Sequence, residues 1–201
     1  MNRKYNEAKV FDRQNKQYID SKLYFGISSK NIDDYEQLWI PMFYSEKKEV
    51  QDRLTVEDAH WNWRKKVLLC EGILAYGTYA LEADNKTQGM MITETVMHQS
   101  KLQSTESLIY IEFIASAPWN RSYLVPHPKY KGVGMVLLSQ AIGESFENGY
   151  EGRIGLHSLP GAETFYKNLG MIDCGFDNHK QLNYFELPID KASELIKEFS
   201  T

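Results

Sequence analysis

Lys129-Tyr130-Lys131-Gly132-Val133-Gly134 lies between a strand-like segment and an amphipathic helical one, and the reading of the fold turns on it. Two glycines let a backbone pass close to a ligand, and the free N–H groups at a helix start form an anion site. No Gly-Lys-Ser/Thr follows, so it is not a Walker loop. The third glycine of a dinucleotide fingerprint is missing as well. By itself such a loop is more often a plain turn.

Working outward, the helix that opens at Gly132 carries Met135, Leu138, Ala141, Ile142 and Phe146 on one stripe, with Gln140, Glu144 and Glu147 expected to face away. Gly149 ends it. Upstream, residues 107–115 (SLIYIEFIA) are rich in isoleucine and aromatics and read as a strand. Residues 75–83 and 87–96 flank the turn-like Asp84-Asn85-Lys86 and read as an antiparallel hairpin. Downstream, residues 153–157 form a strand. A short helix follows, with Ala162, Phe165, Tyr166 and Leu169 along one side and Gly170 as its stop. Residues 182–187 give a further strand, and Ile189, Ala192, Leu195, Ile196 and Phe199 mark a tail helix.

The first 20 or so residues are polar and give no clear element. A strand is expected at 21–28 (SKLYFGIS), followed by a helical stripe of Tyr35, Leu38, Trp39, Met42 and Phe43. Pro41 within it predicts a kink or two short helices. A second helix is expected to open at Thr55 with Glu57-Asp58 behind it, burying Val56, Ala59, Trp63 and Val67. The predicted order is two helices, three strands, then helix, strand, helix, strand and tail helix. That pattern describes an α/β (α+β) protein with a mixed, mostly antiparallel central sheet and helices on both faces.

The chain has 201 residues, with 23 Lys+Arg against 27 Asp+Glu and a net charge of −4. No basic excess is present for a nucleic-acid partner. No apolar run approaches the roughly 20 residues a membrane-spanning helix needs, and the amino terminus has no signal-peptide pattern. Two cysteines, Cys70 and Cys174, show neither metal-ligand spacing nor a disulfide framework. A cytoplasmic protein without a metal, nucleic acid or membrane partner is expected.

The order strand, loop, Lys-x-x-Gly-x-Gly, helix, strand, then Ala162-x-x-Phe165-Tyr166-x-x-x-Gly170-Met171 resembles the GCN5-related N-acetyltransferase (GNAT) superfamily. The resemblance covers about 64 residues, or roughly half the chain with the preceding hairpin. It implies a single GNAT domain over residues 1–201. Within it, 1–70 lie on the acceptor side, 71–187 form the acyl-coenzyme A core, and 188–201 add a C-terminal helix.

The resemblance further implies that main-chain amides hold the coenzyme A pyrophosphate, at Lys131, Gly132, Val133, Gly134 and Met135, with Lys129 as a further cofactor contact. Ala115, Ser116, Ala117, Ala162 and Tyr166 would line the rest of the cofactor site. The implied reaction is transfer of an acetyl group from acetyl-coenzyme A to an amine in a direct ternary complex. Tyr166 would be the acid near the thioester sulfur and Glu112 the base, since family members often use a glutamate on that strand. Glu112 also interrupts an apolar strand, where a carboxylate is costly unless paired, solvated or protonated; it could equally be a rim glutamate or a partner of Arg121.

His157 could replace or assist Glu112, and Glu94 and His98 are further candidates for acceptor contacts. His60, Trp61 and Trp63 read first as packing. Lys129 stands where the family has Gln or Arg, and Leu159 where many members have Asn. The segment Ala117 to Arg121 carries no role readable from its residues. The expected partner is a small-molecule or peptide amine, and the chain ends could cover the site or mediate a homodimer. The alternative function is a non-catalytic acyl-coenzyme A binding or sensing module.

Overall fold

A computed structural model describes residues 3–45 and 56–199. Among them nine strands form one mixed sheet: β1 (Tyr5–Asp12), β2 (Gln17–Phe25), β3 (Tyr76–Ala83), β4 (Lys86–Glu94), β5 (Ile109–Ser116), β6 (Tyr130–Lys131), β7 (Ile154–Ser158), β8 (Ile172–Asp177) and β9 (Leu182–Leu187). Their order is β6-β1-β2-β3-β4-β5-β7-β9-β8. β5 and β7 run parallel, whereas β1 with β2, β2 with β3, and β7 with β9 are antiparallel.

Among the described residues the helices are α1 (Ser29–Asp34), α2 (Ile40–Ser45), α3 (Trp63–Cys70), α4 (Val133–Glu147), α5 (Glu163–Asn168) and α6 (Ile189–Phe199). A π-helical segment, Tyr35–Trp39, joins α1 to α2. That widened turn immediately precedes Pro41, whose ring and missing N–H disturb the regular ladder, so the expected kink takes this form. The chain forms two compact units, Met1–Ile73 with Thr78–Met91 and Ile114–Leu137, and Leu74–Gly77 with Ile92–Phe113 and Leu138–Thr201.

In the first unit, Val10, Leu23, Tyr35, Trp39, Phe43, Trp63 and Leu81 are buried. α1 opens with a capping box between Ser28 and Asn31. Asn31 is fully buried and satisfied: its Nδ2 donates to Glu82 Oε1 at 2.7 Å and to Thr87 Oγ1 at 2.9 Å. Arg3 donates to the same Glu82 and Asn31, each at 2.9 Å, fastening the start of β1.

In the second unit, Leu108, Ile109, Ile111, Leu138, Ala141, Ile142, Ile154, Leu156, Phe185 and Leu187 are buried. Glu144 departs from its expected solvent position: it is buried and accepts a hydrogen bond from Thr93 Oγ1 at 2.8 Å, which satisfies the carboxylate inside. Phe146, expected on the apolar stripe, is 43% exposed.

Three strands depart from the expected order. β1 was not expected; it leads into β2, the strand expected at 21–28, through a turn closed by Asp12, whose Oδ1 accepts from Gln14 N and Asn15 N. β6 is a two-residue edge on β1, and β8 is an edge strand on β9. The first predicted strand is displaced, running over Gln17–Phe25. The expected helix start at Thr55 lies outside the described residues. The regular helix begins at Trp63, where the Asn62 side chain accepts from Lys65 N at 2.8 Å.

Candidate active site

The glycine loop belongs to the first unit. Gly132 has φ +99°, a conformation that side chains resist, and nothing lies within 4 Å of where its Cβ would be. It turns the chain from β6 into the 15-residue α4. The first N–H groups of such a helix have no intrahelical partners and carry the positive end of its dipole. Gly89 on β4 makes the close approach that seats this end. A Cβ there would lie 2.8 Å from Val133 Cγ1, 2.9 Å from Leu137 Cδ1 and 3.2 Å from Ala115 O.

The loop from Ala117 to Lys131 is braced by the five residues the sequence left without a role. Trp119 Nε1 and Asn120 Nδ2 both donate to Gln88 Oε1, at 2.8 and 3.0 Å. Asn120 Oδ1 accepts from Tyr130 N, and Ala117 N donates to Gln88 O. Arg121 donates to Ser116 O at 2.8 Å and makes a two-pronged pair with Asp58 at 2.6 Å on each prong. Burial lowers the guanidinium pKa, the Asp58 contacts raise it, and the net direction is up. Arg121 therefore serves Asp58 and leaves Glu112 to other partners.

Lys129 Nζ lies 2.9 Å from Asp84, which also accepts from Tyr130 Oη. Lys131 is exposed on β6, and Ala115, Ala117 and Val133 are buried. A separate cavity of about 450 Å³ is lined by Glu7, Lys9, Ser21, Tyr24, Glu82 and their neighbours, and includes none of the predicted site residues.

The second unit holds Glu112, His157, Ala162 and Tyr166. The parallel ladder between β5 and β7 has three pairs, Ile109↔Ile154, Tyr110↔Gly155 and Ile111↔Leu156. It stops there, so Glu112 and Phe113 on one strand and His157 and Ser158 on the other lie past the last pair. Backbone groups released by diverging strands can hydrogen-bond an extended chain.

Alternation places Glu112 on the sheet face of Tyr110 and His157, and the register His157↔Tyr184 adds Tyr184 to it. Tyr166 is on the other face. Its ring packs on Phe165 and on Phe185, with centroids 5.2 and 6.1 Å away. Burial pushes its hydroxyl pKa above the ordinary tyrosine value. Glu112 and Tyr166 thus stand on opposite faces of the β5–β7–β9 segment.

Around Glu112 runs a polar line that the sequence disclosed only in part. Tyr110 Oη and His157 Nδ1 are 2.6 Å apart, and His157 Nε2 is 3.1 Å from Asp177 Oδ2. A phenol donates and a carboxylate accepts, so a neutral imidazole protonated on Nε2 satisfies both bonds. Burial, with the charges of Lys180 and Lys101, lowers the His157 pKa against the opposing pull of Asp177, which favours that neutral form. Asp177 Oδ1 accepts from His179 N and Lys180 N, holding its own pKa low and fixing the β8–β9 turn.

Lys180 Nζ lies 3.5 Å from Glu112 Oε1. His98 stacks on Tyr110 at 4.3 Å and pairs with Glu94 at 2.7 Å. Among the described residues no group of His, Cys, Asp and Glu is arranged to hold a metal, and no helix is long and apolar enough to cross a membrane.

No protein-family model matches the chain, and no curated protein does. Solved structures do. A GNAT-family protein from Desulfovibrio desulfuricans is 13% identical, with 84% of this chain and 99% of that one covered at a TM-score of 0.55. The PaiA N-acetyltransferase of Thermoplasma acidophilum, solved with coenzyme A, is 16% identical, with 82% and 97% covered at 0.51. PH1933 from Pyrococcus horikoshii is 14% identical, with 83% and 96% covered at 0.51. At these identities the likeness defines the fold: the chain has the GNAT α/β fold, a mixed nine-stranded sheet with helices.

Proposed function

We propose that the protein is a cytoplasmic N-acetyltransferase that moves the acetyl group of acetyl-coenzyme A to a small-molecule or peptide amine by direct attack. The observation that carries this reading is the β5–β7 ladder, which ends after Ile111↔Leu156, just before Glu112. Unpaired strand groups of that kind suit the extended, amide-containing pantetheine arm. The Gly132 turn and the α4 start support a pyrophosphate site on the amides of Lys131 to Met135. The remaining cofactor contacts are assigned to Lys129, Ala115, Ser116, Ala117, Ala162 and Tyr166.

Chemically, the amine attacks as a free base, so one group takes its proton and another protonates the departing thiolate. Glu112 is the proposed base. Tyr166, kept protonated by its burial, is the proposed acid. The test is thiol release from acetyl-coenzyme A with a panel of primary amines, with the acetylated product identified by mass. Absence of release with every amine contradicts transfer.

A second reading, an acyl-coenzyme A binding module without turnover, is favoured by Leu159 opening the turn Pro160–Ala162 with no side-chain cap, and by the separation of Glu112 and Tyr166 onto two faces. Saturable cofactor binding without thiol release would select it.

A further inference from the structure

The partner of Glu112 is a lysine of the same chain. Lys180 Nζ lies 3.5 Å from Glu112 Oε1 and 5.8 Å from the centre of the Tyr110 ring. A primary alkylammonium held between a carboxylate and an aromatic face is the form in which an amine acceptor would be received. The backbone that carries this lysine is fixed. Its own N–H is tied to Asp177 Oδ1 at 3.2 Å, and the other Asp177 oxygen is tied through His157 to Tyr110. The β8–β9 turn is thereby anchored to the strand that carries Glu112, with Lys180 directed toward that carboxylate. The side chain is 49% exposed, so its nitrogen can be reached.

We propose that Lys180 is an internal acetyl acceptor, modified by the protein's own reaction centre. The inference rests on the acetyltransferase reading and deepens it. Glu112 takes a proton from the Lys180 ammonium. The freed nitrogen lone pair then attacks the thioester carbonyl; the C–N bond forms, the C–S bond breaks, and the nitrogen's second proton is lost to water. The thiolate takes a proton from Tyr166, which regains one from water. The product is a neutral amide at Lys180 and free coenzyme A. Glu112 gives the proton it took to water. Without its charge the side chain no longer pairs with Glu112, and the carboxylate is free for an incoming ammonium.

The test incubates the purified full chain with acetyl-coenzyme A and no added amine, followed by peptide mass analysis. One acetyl group is expected at Lys180, with a first-order rate constant independent of protein concentration. Glu112→Gln should slow it about 100-fold, and Lys180→Arg should remove it. Urea-unfolded protein measures purely chemical acetylation.

Modification at an equal rate in the unfolded chain or in Glu112→Gln overturns the proposal, as does a rate that rises with protein concentration. If added amines are acetylated while Lys180 stays unmodified, the proposal falls and the acetyltransferase reading stands. If neither is acetylated, both fall.

Discussion

Arg121 and Asp58, 63 positions apart, meet in a buried two-pronged ion pair with both contacts at 2.6 Å. The third guanidinium nitrogen donates to Ser116 O at the end of β5. This joins the segment 56–60 to the loop that precedes α4. Removing one partner of such a pair leaves a buried charge alone, which costs about 3–5 kcal/mol. Asp58→Asn and Arg121→Gln should each lower the unfolding midpoint in urea accordingly. Arg121→Lys should not restore it, because an ammonium cannot make the fork and reach Ser116 O together.

Gly89 and Gly132 shape the α4 start by different means. Gly132→Ala meets no neighbour, but it forces a side chain into the φ +99° region at about 1–3 kcal/mol. Gly89→Ala places a methyl group against Val133, Leu137 and Ala115 O and pushes the helix start outward. Both variants should bind acetyl-coenzyme A at least 10-fold more weakly, about 1.4 kcal/mol, as measured by calorimetry on the folded protein.

His157 supplies a pH dependence of stability. Its folded pKa lies below the ordinary histidine value near 6.5, so the unfolded chain binds the proton more readily. Stability is therefore full above about pH 6.5 and is lost as pH falls through that value toward the lower folded one. Denaturant titrations from pH 8 to pH 5 should show this decline in the wild type. His157→Gln, which keeps a neutral polar side chain, should flatten it.

Tyr166→Phe keeps the ring against Phe165 and Phe185 and removes only the hydroxyl. Turnover should fall about 100-fold, with acetyl-coenzyme A affinity and unfolding midpoint nearly unchanged. Equal kcat in the variant removes Tyr166 from the chemistry.

Much of the fold was legible because its central elements carry strong periodicity. The hairpin 75–96, the strand around Ile109 to Ala115 and the stripe of α4 each declare themselves by apolar spacing. The three unforeseen strands lack that signal for a physical reason: β6 and β8 are edges, and β1 is covered on its outer side only by the two-residue β6. β8 is almost wholly exposed along Ile172–Asp177 and shifts register between Asp173 and Phe176, so its residues show no alternation. β1 buries little beyond Val10 and Asp12, and β6 is two residues long.

At the candidate site, the glycines, Glu112 and Tyr166 could be picked out by residue type and order. Their partners could not. The Asp177 that orients His157 and the Lys180 beside Glu112 lie on an exposed turn with no motif. Asp58 is distant from Arg121 in sequence. Burial of Glu144 depended on Thr93 facing it, a pairing that helical periodicity does not encode.

The proposed function requires an acyl-coenzyme A site. Calorimetric titration of the full chain with acetyl-coenzyme A tests it most directly. Saturable binding of one molecule per chain is predicted, with at least 10-fold weaker binding in Gly132→Ala. No binding by the folded wild-type protein, or equal affinity in the folded Gly132→Ala variant, contradicts it.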